Sequence, residues 1–287
     1  MTTQGNVSRL KIPPAHAHLP VGSIDVLPSR AAANWPSRTA VRGETATLTF
    51  AELDRRISRL AAGLRELIGG DGSVVAVSSV LGLDFPIAYY AVARSGNVVA
   101  PVSSRLGAEV LEPWLTAVGA RAIVLSRAMY DRVRPTLAGL RLERVLLLDG
   151  PATPGVLTCA ELAARGDLLV EPRDRNENEL GAILIGAGRA GYARSAQLTH
   201  HSLKVDAAKI SAAHGLSENA VALNTSPRYH QVHLNAAVWA GATQVLCASP
   251  DPAVQAREAV RHNATHHYPL VLDRRSRPAV LPRKAVA

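Results

Sequence analysis

Two stretches in the second half of the chain hold the residue types most suited to chemistry. The first runs from Gly186 to Ser195 and reads Gly-Ala-Gly-Arg-Ala-Gly-Tyr-Ala-Arg-Ser. Glycines at 186, 188 and 191 leave backbone N–H groups open, the makings of an anion nest, and Arg189 and Arg194 add positive charge. Between Gly186 and Arg194 there is no serine, threonine or lysine, so the groups that usually grip phosphate are missing. The segment reads either as a grip for a phosphate of phosphopantetheine or CoA, or as a bare turn joining a strand to a helix. The second reading is the stronger, because alanines and Tyr192 stand where functional groups would be needed.

The second stretch is Arg228, Tyr229, His230 and His233. His230 and His233 are three residues apart at an expected helix start, which puts both imidazoles on one face. A helix N-terminus favours neutral imidazole, so either histidine is a candidate acid–base group, with Arg228 and Tyr229 beside them. Packing is the competing role. No carboxylate or third ligand stands close enough in sequence to make a metal site of them, and none is expected elsewhere. His200-His201 and His266-His267 are adjacent pairs, and neighbours point apart on a helix or strand. Ser202 and Ser226 lack a Gly-x-Ser-x-Gly elbow. Cys159 and Cys247 have no ligand spacing and read as core thiols of a reduced, cytoplasmic protein.

Positioning these residues takes a run of alternating strands and helices. Thr49 followed by Glu52 has the spacing of a capping box, and Leu53, Ile57, Leu60, Ala61, Leu64 and Leu67 follow a helical period until Gly69-Gly70. Val74–Val80, Val98–Val102, Ile123–Leu125 and Val145–Leu148 read as strands, separated by helices over Ala88–Arg94, Ala108–Val118 and Tyr130–Leu137. Ala182–Ile185, Ala220–Leu223, Thr243–Leu246 and His267–Leu272 repeat the pattern, with helices over Ser202–His214, Val232–Ala240 and Ala253–Asn263. The alternation predicts an α/β protein with two stacked, doubly wound, mostly parallel sheets. The expected divisions are an arm over 1–21, a first lobe over 22–150, a linker over 151–179, a second lobe over 180–272 and a frayed tail over 273–287.

Composition narrows the partners. The net charge of +9 is carried almost entirely by arginine, since lysine occurs only at 11, 204, 209 and 284. The arginines are scattered, without a basic helix face or interleaved aromatics, so nucleic acid is not an expected partner. Residues 1–20 lack the apolar stretch of a signal peptide, and no apolar run reaches the ~18 residues that span a bilayer.

Several blocks together resemble the adenylate-forming family of acyl-CoA synthetases, adenylation domains and luciferases. They are Leu48-Thr-Phe-Ala-Glu-Leu53, Arg59-Leu-Ala-Ala-Gly-Leu64, Val74-Val-Ala-Val77, Ala91–Gly96 and Val99-Ala-Pro-Val102. Ile185 to His200 then falls where that family has its phosphate loop and a Leu-Thr-His. Ser226-Pro-Arg-Tyr-His230 with Trp239–Ala242 resembles the aromatic-histidine motif at its acyl pocket. The blocks cover Ile24 to Leu272, in the family's order.

The resemblance implies loop hydroxyls and a lysine around the ATP phosphates. Here those positions are Gly186, Ala187, Arg189, Ala190 and Arg194, while Gly188 and Gly191 are kept. At ~1.5–3 kcal/mol for each lost charged hydrogen bond, triphosphate binding is expected to be severely weakened. His233 stands where the family has a small residue. The family's adenine site, ribose aspartate and catalytic lysine would lie beyond Leu272. The expected protein is therefore a truncated, degenerate family member, without barrel or mobile C-terminal domain, that forms no acyl adenylate alone and needs no cofactor. Three functions compete: binding an acyl, aminoacyl or carrier-tethered intermediate, ATP-independent acid–base catalysis by His230 and His233, or half of a split ligase. A homodimer or a protein partner is expected over the face that truncation exposes.

Overall fold

A computed structural model describes residues 19–165, 176–186, 194–226, 231–269 and 279–280. The first helix, α1 (Val26–Asn34), leads into two short strands, β1 (Thr39–Arg42) and β2 (Thr47–Thr49). Helix α2 (Phe50–Ile68) then starts on the expected capping box. The Glu52 N–H donates to Thr49 Oγ1 at 3.2 Å, and the Thr49 N–H donates to Glu52 Oε2 at 2.8 Å. These bonds from Thr49 hold the Glu52 carboxyl below the usual carboxylate range. Gly69, at φ 90°, ends the helix in a conformation that a side chain would strain. Thr49→Ala is expected to cost about 1 kcal/mol of stability in urea unfolding. A change below a few tenths would mean the box is not formed in solution.

Strands and helices alternate from there: β3 (Val74–Ser79), α3 (Asp84–Arg94), β4 (Val98–Ser103), α4 (Ala108–Ala117), β5 (Ala120–Leu125), α5 (Arg127–Leu137) and β6 (Arg144–Leu147). Next come β7 (Leu157–Thr158), α6 (Cys159–Arg165), β8 (Leu180–Gly186), β9 (Arg194–Thr199), α7 (His200–His214) and β10 (Val221–Asn224). The remainder is α8 (Gln231–Ala240), β11 (Thr243–Leu246), α9 (Pro252–Arg261), β12 (His266–Tyr268) and β13 (Ala279–Val280). Among the described residues these strands form a seven-stranded sheet, β7-β6-β5-β3-β4-β8-β9, and a six-stranded sheet, β13-β12-β10-β11-β1-β2. Pairing is parallel except at three edge pairs: β8–β9, β1–β2 and β12–β13. No closed barrel is present among them.

The main core lies between the sheets. Val75, Val77 and Val99 of one sheet and Val41, Leu48 and Leu246 of the other face the same buried cluster. Helices α1, α2, α3, α6, α7 and α8 contribute to it. Helix α3 has no polar face; every residue from Phe85 to Arg94 is buried, as expected of a helix enclosed on all sides. Alternate side chains on β3 point the other way, so that Ala76 joins Leu111, Trp114, Met129 and Val133 under α4 and α5. Val254 and Ala259 of α9 cover Leu223 and Val245 on the outer face of the second sheet. The result is five layers: helix, sheet, helix, sheet, helix.

Buried charge fixes the middle layer. Arg94 is fully buried and donates to Asp25 Oδ2 at 3.1 Å, Asp54 Oδ1 at 2.7 Å, and the Ser29 and Ser58 hydroxyls at 2.6 Å. It clamps α1, α2 and α3 together. Lys204, also buried, gives its ammonium protons to the Pro20 and Gly22 carbonyls and to Glu177 at 2.6, 2.7 and 2.9 Å. The segment before α1 is thereby tied to α7.

Several expectations need correction. The sheets do not follow a division at residue 150: β1 and β2 belong with β11, and β8 and β9 belong with β4. The expected linker over 151–179 contains β7 and α6, which extend the first sheet and place Cys159 and Leu162 in the core. The tail expected to fray from 273 includes Ala279 and Val280, paired with β12. Strands β1 and β9 have no counterpart among the expected elements: β1 is only four residues long, and the polar–apolar alternation of β9, Ser195 to Thr199, is short and runs straight into α7.

Candidate functional site

The glycine-rich segment closes a hairpin. Strand β8 pairs antiparallel with β9 from Leu180↔Thr199 through to Gly186↔Arg194. Residues 187–193 join the two strands, so the expected turn from strand directly into helix is replaced by a strand-to-strand connection. Helix α7 begins only after β9, six residues or roughly 20 Å further on. Its terminal N–H groups are already used. His200 N–H donates to the Glu179 carbonyl at 3.1 Å, His201 N–H to the Glu177 carbonyl at 2.7 Å, and Ser202 N–H to Thr199 Oγ1 at 3.1 Å. Neither the dipole of α7 nor its open amides serve the loop, and anion binding there rests on the loop's own residues. Gly188, Arg189 and Gly191 lie outside the described residues; of Gly186 and Arg194 the backbone pairing alone is described.

Arg228, Tyr229 and His230 also fall outside the described residues. His233 is described, half-buried in the first turn of α8. Its ring lies 4.2 Å, centroid to centroid, from Tyr268 and 6.1 Å from His214. The Tyr268 hydroxyl is 2.8 Å from His214 Nδ1. Burial pushes the Tyr268 phenol well above its ordinary range, so it stays protonated at neutral pH and shares a hydrogen bond with that nitrogen.

Further histidines surround this group. His266 Nε2 lies 3.0 Å from the His214 carbonyl, which only accepts, so that nitrogen carries the proton. His266 Nδ1 is then left to accept from Thr265 Oγ1 at 2.7 Å. His267 Nε2 meets Thr225 Oγ1 at 2.9 Å on the other side of β12. Burial lowers the pKa of both His266 and His267, keeping them neutral near pH 7. The arrangement joins the C-terminus of α7, the start of α8 and strand β12, from His266 at its amino end to Tyr268 at its carboxyl end. His214 and Tyr268 are not among the residues the sequence singles out. Nothing in the spacing 214, 233, 268 marks a shared site, because three separate elements bring them together.

Other reactive groups are quiet. Cys159 and Cys247 are free and buried. Burial, with Asp84 and Asp149 nearby, pushes the Cys159 thiol up to about 12, far from thiolate reactivity. Among the described residues no three His, Cys, Asp or Glu side chains gather as metal ligands.

Comparison with known proteins agrees with this architecture. The model of the AMP-binding enzyme family matches residues 28–271. A feruloyl-CoA synthase of Amycolatopsis sp is 32% identical over 235 residues, covering 78% of this chain and 44% of that protein. A salicyl-AMP ligase / salicyl-S-ArCP synthetase of Mycobacterium tuberculosis is 28% identical over 260 residues, covering 85% of this chain and 46% of that protein. The chain spans about half the length of these curated relatives. Among solved structures, apo MbtA of Mycobacterium smegmatis superposes with a TM-score of 0.79 at 24% identity, over 88% of this chain and 49% of that one. The order of elements, the two parallel sheets with helices between them, and a family match over most of the sequence place this chain in the AMP-binding enzyme family.

Proposed function

We propose that this chain holds an acyl, aminoacyl or carrier-tethered intermediate for a neighbouring enzyme of a cytoplasmic biosynthetic pathway, and does not itself form an acyl adenylate. The observation that carries this reading is the β8–β9 connection. Residues 187–193 span the hairpin with Ala, Gly, Arg and Tyr only, and the amides at the start of α7 are used elsewhere. Any grip on a triphosphate then falls to backbone N–H groups, Arg189 and Arg194, which supply charge without the compact lysine and hydroxyl geometry. Relatives named for feruloyl and salicyl substrates favour an aromatic acyl group. A homodimer or protein partner belongs to the same reading.

Acid–base catalysis by His230 and His233 is the weaker alternative, because the His233 ring is already packed against Tyr268 and near His214. Half of a split ligase is weaker again, since no partner restores side chains missing from this chain's loop. In the decisive assay the chain is incubated with ATP, magnesium and a panel of aromatic acids, and pyrophosphate exchange is followed. The expected result is exchange at background, together with saturable binding of an aromatic acid or its CoA thioester. Exchange above background with any acid would overturn the proposal.

A further inference from the structure

A cavity of about 270 Å³ lies away from the hairpin and the histidine group, between α2, α3 and α6. Its placement follows from the packing of α6. Leu162 of α6 presses onto α2 at Gly63, so closely that a Cβ there would come within 2.6 Å of the leucine Cγ. One and two turns earlier on the same face of α2 stand Arg59 and Arg56. There α6 presents alanines, and the space between the helices stays open.

The floor is apolar, made by Leu60, Ile87 and Leu148, all buried, with Ala163 as one wall. The rim carries three charges: Arg56, Arg59 and Asp84 in the first turn of α3. None of the three side chains is hydrogen-bonded to another described residue, although the Arg56 charge also acts on Glu52. Partial desolvation, and then the neighbouring Asp149, raise the Asp84 carboxyl pKa, while Arg56 lowers it. Leu148 follows the end of β6, and α6 follows the end of β7. The cavity therefore opens at the carboxyl ends of the parallel strands, the ligand-prone end of such a sheet.

We propose that this cavity binds a small organic carboxylate with a single-ring apolar body and a hydrogen-bond donor. The ring rests on the Leu60, Ile87 and Leu148 floor, the carboxylate meets the Arg56 and Arg59 guanidiniums, and the donor faces Asp84. A purely apolar ligand would leave the guanidiniums unused, and an anion without a donor would face the Asp84 carboxylate unfavourably. The cavity shares no residue with the β8–β9 hairpin on which the preceding proposal rests, and the two stand or fall independently.

The test is calorimetric titration of the full chain with 4-aminobenzoate, using benzoate as the partner that lacks the donor. Saturable binding is expected, tighter for 4-aminobenzoate, and variants of the cavity separate it from the aromatic-acid binding of the proposed function. Combined Arg56→Ala and Arg59→Ala, at exposed positions that leave the core intact, should weaken it at least about tenfold. Ala163→Trp should abolish it by filling the space, and Asp84→Asn should shrink the difference between the two ligands. The proposal is overturned by an absence of saturable binding below about 10 mM. It is equally overturned if binding survives unchanged in both the double arginine variant and Ala163→Trp, which would put the ligand elsewhere on the molecule.

Discussion

Replacing Arg94 with leucine is expected to remove about 3–5 kcal/mol of stability at neutral pH. The guanidinium and the Asp25 carboxylate are both fully buried, 3.1 Å apart, and the same guanidinium reaches Asp54 and the Ser29 and Ser58 hydroxyls. Ser23 also donates to Asp25. Leucine fills much of the volume but leaves Asp25 as a buried carboxylate without its cation. The cost is that uncompensated charge, which exceeds the net worth of the intact pair. Arg94→Leu combined with Asp25→Asn should therefore recover part of the loss.

The pH dependence gives a sharper test. Burial raises the Asp25 pKa above 3.8, and Arg94 opposes that rise. Without Arg94 the folded-state pKa climbs further. A carboxyl whose folded pKa is raised adds stability that is full below its unfolded pKa and is lost as pH rises through the folded pKa. The deficit of Arg94→Leu relative to the parent protein should thus be largest near neutrality and shrink on acidification toward 3.8. Urea unfolding of both proteins at about pH 7.5 and about pH 5 reads this directly. An equal deficit at both would show that lost packing dominates, with the buried charge irrelevant.

The second large effect concerns nucleotide. Ala187→Ser, Arg189→Thr, Ala190→Thr and Arg194→Lys, made together, are expected to tighten ATP binding by at least about 100-fold. Each change returns a group that the family resemblance places on the phosphates, and each charged hydrogen bond is worth about tenfold or more. The contacts act as a unit, so the combined figure stays well below the product of four. Gly188 and Gly191 remain, and the β8–β9 register that closes the hairpin at Gly186↔Arg194 needs no change. Titration of a fluorescent ATP analogue into both proteins measures the difference. Equal affinity would mean that side chains in this loop do not limit nucleotide binding, removing the main support for a non-adenylating role.

The hairpin illustrates how far the sequence could be read. The glycines and the missing hydroxyls are legible directly, as is their correspondence to a phosphate loop. The strand after the loop is only faintly legible: Ser195 to Thr199 alternate polar and apolar, but Ala196 and Leu198 are their only apolar residues and the run leads straight into α7. Only pairing with β8 makes them a strand. That strand sets the start of α7 six residues beyond the loop, so the helix terminus gives the loop no anion-binding amides. The same limit applies to His233. Its place on α8 can be read from the sequence, but its neighbours, His214 and Tyr268, come from elements 19 and 35 residues away along the chain.

By itself the sequence determined the local and the inherited. The Thr49–Glu52 box and the period of α2 act through contacts three and four residues apart, and the alternating strands and helices specify a parallel α/β fold. The order of the motif blocks carries the family. Tertiary structure alone decided that β1 and β2 cross to the second sheet and that the supposed linker adds β7 and α6 to the first. It also decided that Arg56, Arg59 and Asp84 share one cavity. The physical reason is common to all of these. Helical periods and caps are written in near neighbours. Strand partners, buried charge pairs and cavities depend on groups tens to hundreds of residues apart, whose meeting is settled by the packing of the whole molecule.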